Sequence, residues 1–277
     1  MNRTAWLRVA QYALLIFLSV IFLFPTVWMV AASLRPEIAV LAHSGSWRAF
    51  LPIPFTVENY VDLFRRGQFG RYIWNSTVQT GLIVGLGLVV NSLFGYALAR
   101  QRFRGRRVLL AAVVALIVIP FEATVIPLYL LVSRLGWIDT YAGLVVPFIA
   151  NAFSIYLFYS FFLSVPRELE EAAAIDGAGP FTTFFRVVVP VAKPAYATAA
   201  ILTFLQYWND FLWPYLVTTG PRRRTVQVGL QAFFTDPPIQ WGDVMAATVV
   251  ATIPVLLFFL FFQRYFIEGI ARSGIKG

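Results

Sequence analysis

Glu171-Ala172-Ala173-Ala174-Ile175-Asp176-Gly177, followed by Val187-Val188-Val189-Pro190, is the most informative stretch of this chain. It is a polar, acidic island in an otherwise strongly apolar sequence. Pro166 suits the first turn of a helix, and the glutamates that follow it place negative charge near the positive end of the helix dipole. The alanines favour helix, and Gly177 is suited to end it. The stretch therefore predicts a short helix–turn–helix at a membrane surface, shaped to dock against another protein.

Composition places the whole chain in a membrane. Of its 277 residues 59% are hydrophobic and only 13% are charged, and the mean hydropathy is +0.73. These values are typical of a polytopic membrane protein and not of a water-soluble domain. The net charge of +9 comes from basic residues that lie mainly between apolar runs. We therefore expect them to face anionic lipid, and we expect no nucleic acid partner.

Six apolar runs are long enough to cross the hydrocarbon core as helices. They cover about 11–33, 72–99, 108–132, 141–163, 195–217 and 243–266. None shows the apolar–polar alternation of barrel strands, so the predicted fold class is an all-α polytopic membrane protein with six transmembrane helices. The first run also has a small-residue site that a signal peptidase would accept, but its length favours an uncleaved membrane helix. Prolines inside several runs predict kinks around a pathway.

Charge predicts the orientation of the helices. Five arginines lie between residues 100 and 107, in the short loop after the second run. The positive-inside rule places that loop in the cytoplasm, which makes the 164–194 loop and both termini cytoplasmic. Arg222, Arg223 and Arg224 then fall outside, against the rule. They form either a solvated loop or a site that attracts an anion.

The sequence lacks the residues that several kinds of chemistry require. The sequence has no phosphate-binding G-x-x-x-x-G-K-[ST] motif and no cysteine, and its only histidine is His43. We therefore expect no catalytic residue, no metal site and no cofactor bound by this chain. Gly81 and Gly85 form a G-x-x-x-G pair, which indicates either ordinary helix packing or contact with a partner subunit.

Polar side chains inside the apolar runs mark a possible substrate pathway. A carboxylate in hydrocarbon is costly, so Glu122 and Asp210 are expected to face a water-filled cavity or a partner group. In the fifth run, one helix face would carry Gln206, Asn209, Asp210 and Trp213, because they are spaced i, i+3, i+4 and i+7. Amides and carboxylates beside aromatic rings suit a polyhydroxylated ligand. A purely structural role, at helix ends or against a neighbouring subunit, is the alternative. The predicted pathway residues are Glu122, Asn151, Gln206, Trp208, Asn209, Asp210 and Trp213.

The acidic island resembles the EAA loop of ABC-importer permeases. That family carries Glu-Ala-Ala, a glycine four residues later, and an apolar-x-apolar-Pro group. The matching residues are Glu171, Ala172, Ala173, Asp176, Gly177 and Pro190. Further stretches resemble the carbohydrate-uptake type, the class of the maltose and glycerol-3-phosphate systems: Asn59-Tyr60, Asn75-Ser76, Tyr96-Ala97-Leu98-Ala99-Arg100, Gly136-Trp137-Ile138-Asp139-Thr140, Trp208-Asn209-Asp210-Phe211-Leu212-Trp213-Pro214 and Gln263-Arg264-Tyr265-Phe266.

The resemblance implies a subunit and its partners. It implies a type I importer permease of the bacterial inner membrane that forms half of the pathway for a di- or oligosaccharide. Its partners would be a second homologous permease, two cytoplasmic ATPase subunits that bind ATP and Mg, and an extracytoplasmic solute-binding protein. The Glu171 carboxylate would form a salt bridge to an ATPase subunit. The resemblance implies three parts of the chain. These are an N-terminal helix with an extracytoplasmic segment over 1–70, a transmembrane domain over 71–266 with the coupling loop at 164–194, and a cytoplasmic tail over 267–277.

Two other interpretations stay open at this point. A permease for a glycerol-3-phosphate-type solute would have the same architecture. An ion-coupled secondary transporter would use Glu122 and Asp210 as ion or proton sites. That second interpretation explains the carboxylates but gives no reason for the docking stretch.

Overall fold

A computed structural model describes residues 3–42, 45–65, 68–235 and 237–273, with side chains described between Leu7 and Gln263. His43 and the last four residues, Gly274 to Gly277, lie outside the described residues. So do all side chains from Arg264 onward, which include those of the predicted tail over 267–277.

Every regular element within these ranges is helical. Short 3₁₀ turns occur at Trp47–Phe50 and Val146–Phe148, and a π-helical turn at Phe184–Val188. The α-helices are α1 (Arg3–Ser33), α2 (Glu37–Ala42), α3 (Glu58–Arg65), α4 (Phe69–Arg100), α5 (Arg106–Val118), α6 (Phe121–Arg134), α7 (Tyr141–Val145), α8 (Ala152–Ser164), α9 (Glu168–Ile175), α10 (Pro180–Thr183), α11 (Val189–Val191), α12 (Lys193–Trp208), α13 (Leu212–Val217), α14 (Val226–Thr235) and α15 (Trp241–Ser273).

Helix length and composition agree with the predicted number of membrane spans. Four stretches are long and apolar enough to cross alone: Leu7–Ser33, Phe69–Arg100, Tyr141–Ser164 and Trp241–Gln263. Two more qualify as bent pairs, α5 with α6 at 105° and Pro180–Val191 with α12 at 78°. Counting each bent pair as one span gives six. The all-α polytopic class is confirmed, and the side of the membrane on which each terminus lies stays a prediction.

The fifth predicted span, about 195–217, is interrupted in the structure, in keeping with the kink that a proline inside it predicts. The helix α12 ends at Trp208, and α13 begins only at Leu212. Pro214 explains the break: it has no N–H to donate, and in a continuous helix its ring would clash with the carbonyl of Asp210. The Asn209 side chain instead bonds back to the Leu205 carbonyl at 2.8 Å.

The chain divides into two compact units, of which the first holds residues 1–71 and 229–254. Its centre is the Asn59 side chain, whose amide nitrogen donates to the carbonyls of Ser33 and Arg35 at 2.8 and 2.9 Å. These bonds satisfy carbonyls at the end of α1. A Cβ at Gly242 would lie 2.7 Å from the Asn59 side chain. A side chain at Gly242, where α15 begins, would therefore displace the Asn59 amide from the bonds that hold the segment after α1.

The second unit holds residues 72–228 and 255–277. It contains two main aromatic clusters. One surrounds Tyr96, Phe158 and Phe184, and the other surrounds Tyr207 and Trp213. Helices α4 and α8 approach closely at the first cluster, because a Cβ at Gly95 would lie 2.7 Å from the Cβ of Phe158.

The two ends of α4 carry different loops. At one end, the Asn75 side chain donates to the carbonyls of Arg222 and Arg224 at 3.1 and 2.8 Å. At the other end, Arg100 forms an ion pair with Glu170. Asn75 and Arg100 lie about 38 Å apart at 1.5 Å per helical residue. The arginine segment and the 164–194 loop are therefore at opposite ends of this unit, as the topology prediction requires.

Candidate functional site

The acidic stretch folds as a helical hairpin, which confirms the predicted helix–turn–helix. Its first arm is α9, and its second runs through α10 and the π-turn to α11. Helix α9 begins at Glu168, so Pro166 precedes the first turn and does not lie in it. The hairpin turns at Gly177, which has a φ of 79°. The N–H groups of Gly177 and Ala178 bond to the carbonyls of Ala174 and Ala173 at 3.0 and 2.9 Å, a Schellman motif.

One face of this hairpin is open to solvent. Among the predicted coupling residues, Ala173 is buried, while Glu171, Ala172, Asp176, Gly177 and Pro190 are exposed. Two large apolar side chains also stand free: Ile175 is 86% and Phe181 72% exposed. Exposed apolar groups beside charged ones are typical of a protein-binding surface. Ile175 and Phe181 were not among the predicted site residues, although both are apolar residues in a stretch predicted to be exposed.

The opposite face of α9 is held by a polar cluster that the sequence analysis also missed. Glu170 Oε1 lies 2.9 Å from Arg100 Nε, and the two side chains are 21% and 5% exposed. The Tyr96 hydroxyl donates to Glu170 Oε2 at 3.1 Å. The Arg100 guanidinium also donates to the Val165 carbonyl. Tyr96 and Arg100 are spaced i, i+4, which puts both on one face of α4. That spacing was visible in the sequence, but nothing in it indicated the partner.

A cavity of about 590 Å³ lies where three helices are interrupted. The breaks separate α5 from α6, α7 from α8, and α12 from α13. Non-helical backbone within a membrane protein is tolerated where it lines a cavity or is buried in protein. Polar and aromatic side chains line the space together: Thr124, Asn151, Gln206 and Asp210, with Phe121, Phe148, Phe153 and Tyr207.

Asn151 is fixed by several hydrogen bonds. Its side-chain oxygen accepts from the Ser154 N–H at 2.9 Å and so caps α8. Its own N–H donates to the Asn91 side chain at 2.9 Å. The Tyr207 hydroxyl is hydrogen-bonded to the Asn151 side chain. Asn91 is a further residue that the sequence analysis missed, because its partners lie far along the chain.

The structure brings together three of the seven predicted pathway residues. Asn151, Gln206 and Asp210 line the cavity, and the Asp210 carboxylate also accepts from the Trp213 N–H. The single helix face predicted for residues 206–213 is wrong, because the helix is interrupted after Trp208.

The other four residues lie outside this cavity. Trp213 is fully buried, and its indole donates to the Gly143 carbonyl at 2.9 Å. Trp208 is 2% exposed. Asn209 and Glu122 are exposed, with Glu122 in the first turn of α6, where its charge suits the helix dipole. Their role in a pathway stays a prediction.

Within the described ranges, no three histidine, aspartate or glutamate side chains gather in a way that would hold a metal ion.

A match to a known protein family identifies the family of this chain. Residues 91–272 match the family described as binding-protein-dependent transport system inner membrane component. The chain belongs to this family. The matched range includes the hairpin, the residues that line the cavity and the Arg100–Glu170 ion pair. This chain is accordingly a multi-pass protein of the bacterial inner membrane.

Full-length relatives support the same assignment. This chain is 33% identical to the arabinooligosaccharides transport system permease protein AraQ of Bacillus subtilis (strain 168), over 98% of its own length and 96% of the relative. It is also 33% identical to the trehalose/maltose transport system permease protein MalG of Thermococcus litoralis, over 95% and 94%.

A solved structure has the same fold. A chain in the crystal structure of a bacterial ABC transporter involved in the import of the acidic polysaccharide alginate matches with a TM-score of 0.85. The two are 26% identical, and the match covers 96% of this chain and 99% of that one.

Proposed function

We propose that this chain is the permease subunit of an ATP-driven ABC importer and forms half of the translocation pathway for a di- or oligosaccharide. The observation that carries the substrate class is the cavity, in which Asn151, Gln206 and Asp210 stand among aromatic rings. Amides and carboxylates form directional hydrogen bonds to hydroxyl groups, and aromatic faces stack on the apolar face of a sugar ring. The saccharides in the names of AraQ and MalG support the same class.

The second half of the pathway would come from a homologous permease. Glu122 and Asn209 lie exposed outside the cavity of this chain, and a second subunit is the natural partner for polar groups that no contact in this chain buries. The dependence on a binding protein in the family description supports delivery of the solute by an extracytoplasmic solute-binding protein.

ATP hydrolysis belongs to two separate cytoplasmic ATPase subunits in this proposal, with ATP and Mg bound there. The 164–194 segment is the coupling element. Its exposed face offers Glu171 for an ion pair and Ile175 for apolar contact. The domain division into 1–70, 71–266 and a cytoplasmic tail over 267–277 belongs to the same proposal.

Reconstitution tests this function. The chain is assembled with its partner permease, ATPases and binding protein in vesicles, and uptake of radiolabelled di- and oligosaccharides is measured. We expect uptake that requires ATP and is lost in E171A, while insertion and folding of the subunit are unchanged. Exposed Glu168 supplies the matched control, E168A, which keeps uptake. Uptake that persists without ATP and collapses with an ion gradient would establish a secondary transporter instead, and uptake of glycerol phosphates alone would change the substrate class.

A further inference from the structure

We infer that Tyr96, Arg100 and Glu170 form a clamp that positions the coupling hairpin on α4 and carries its displacement to the membrane helices. The inference rests on the proposed function and assigns a role to three residues of this chain. Glu170 and its neighbour Glu171 then have different tasks. Glu171 faces outward toward a partner, and Glu170 faces inward toward α4.

Geometry separates Glu170 from the other glutamates of the hairpin. Its carboxylate has two partners on α4, Arg100 Nε at 2.9 Å and the Tyr96 hydroxyl at 3.1 Å. Glu168 and Glu171, in the same first turn of α9, are exposed. Exposed ion pairs contribute little because solvent screens them, but this pair is largely buried. A change at Glu170 therefore leaves the Arg100 charge buried and unpaired, which is strongly unfavourable.

Tyr96 connects both arms of the hairpin to α4. Its hydroxyl reaches Glu170 on the first arm, and its ring lies 4.9 Å from the ring of Phe184 on the second arm. The same ring packs edge-on against Phe162 of α8, with the centroids 5.7 Å apart. One side chain thus contacts α8, both arms of the hairpin and the last turns of α4. A displacement of either arm must move α4 or break this cluster.

Arg100 completes the clamp at the point where the hairpin begins. Its guanidinium donates to the carbonyl of Val165, which lies between α8 and α9. A positive charge in the last turn also suits the negative end of the α4 dipole. The hairpin is therefore attached to α4 at its entry, through Val165, and along its first helix, through Glu170. The exposed face of α9 remains available for a partner.

The test compares E170Q with E168Q in the reconstituted complex. The measured quantity is the amount of solute transported per ATP hydrolysed, because a merely structural loss lowers both rates together. We expect the ratio to fall roughly three- to thirtyfold in E170Q, while E168Q keeps it. Y96F removes only the hydroxyl and should lower the ratio by less. E171A, by contrast, should weaken attachment of the ATPases, so the two neighbouring glutamates are distinguished.

A double variant tests the pairing itself. In R100Q/E170Q both charges are gone, so we expect a smaller loss of coupling than the two single changes predict by addition. Amide hydrogen exchange supplies a readout that needs no transport, and α9 should exchange faster in E170Q than in E168Q. Failure of the wild-type complex to transport would refute the proposed function and leave the exchange comparison intact. An unchanged transport ratio together with unchanged exchange in E170Q would overturn the clamp.

Discussion

The side-chain oxygen of Asn91 lies 2.9 Å from the backbone nitrogen of Asn151, sixty residues later in the chain. The amide nitrogen of Asn91 donates to the Ile149 carbonyl at 3.1 Å. Both partners belong to the interruption between α7 and α8, where the regular helical bonds are absent. An unpaired backbone group in a membrane costs several kcal/mol, so Asn91 makes this interruption possible.

Substitution of Asn91 should therefore destabilise the cavity wall. We expect N91A to lower the free energy of unfolding by about 2 kcal/mol, because two partly buried backbone groups lose their partner. Thermal unfolding of the purified subunit in detergent measures the change. Exposed Val90 is the control, and V90A should shift stability by less than about 0.5 kcal/mol. Equal stability of the two variants would show that water replaces Asn91.

Two glycines of α4 should respond differently to the same substitution. A Cβ at Gly95 would lie 2.7 Å from Phe158 Cβ and 2.9 Å from two backbone atoms, whereas nothing lies within 4 Å of a Cβ at Gly85. We expect G95A to cost about 2 kcal/mol through overpacking. G85A should leave the isolated subunit as stable as the wild type. If Gly85 faces the second permease, G85L should instead reduce co-purification of the two subunits.

The turn of the hairpin depends on the backbone conformation of Gly177 and not on packing around a side chain there. Gly177 has a φ of 79°, and a Cβ there would meet no atom within 4 Å. G177A should therefore cost about 1 kcal/mol by strain alone and lower the transport rate by disturbing the angle between the two arms. G177N should retain more transport than G177A, because asparagine adopts this conformation more readily. Identical transport in both variants would contradict a role for the turn geometry.

The cavity predicts different effects for two carboxylates. D210N keeps the shape of a side chain that lines the cavity and bonds the Trp213 N–H. We expect it to change the selectivity among saccharides and to slow uptake about tenfold or more, by analogy with lost hydrogen bonds to substrate hydroxyls. E122Q changes an exposed residue outside the cavity. Competition uptake assays with a saccharide panel measure both, and a larger effect of E122Q would move the pathway to a subunit interface.

Local sequence rules predicted the helical content and the hairpin well. The runs of apolar residues give the spans, because the thickness of the hydrocarbon core fixes the number of residues needed. The hairpin followed from the alanines and from Gly177, whose effects act within one turn of helix. Pro166 was placed two residues too far inside the helix, which is within the usual uncertainty of a helix end.

Tertiary partners were not predictable in the same way. The face proposed for residues 206–213 assumed a continuous helix, and Pro214 breaks it. The indole of Trp213 bonds the Gly143 carbonyl seventy residues earlier, a contact that no local pattern indicated. Arg100 and Glu170 are both evident in the sequence, but neither periodicity nor composition indicates which of several glutamates contacts α4. Such pairs are set by packing between elements that the sequence separates widely.

A single uninterrupted helix, α4, contacts three distant parts of this protein. It bonds the Arg222–Arg224 segment through Asn75, the interrupted chain beside the cavity through Asn91, and the hairpin through Arg100. Genetics should detect this arrangement. Selection for restored growth in a strain with a weakened hairpin should yield suppressor mutations along the length of α4, including positions near the opposite membrane face. On the structure, such suppressors would lie along one straight helix, although their codons lie far from the original mutation.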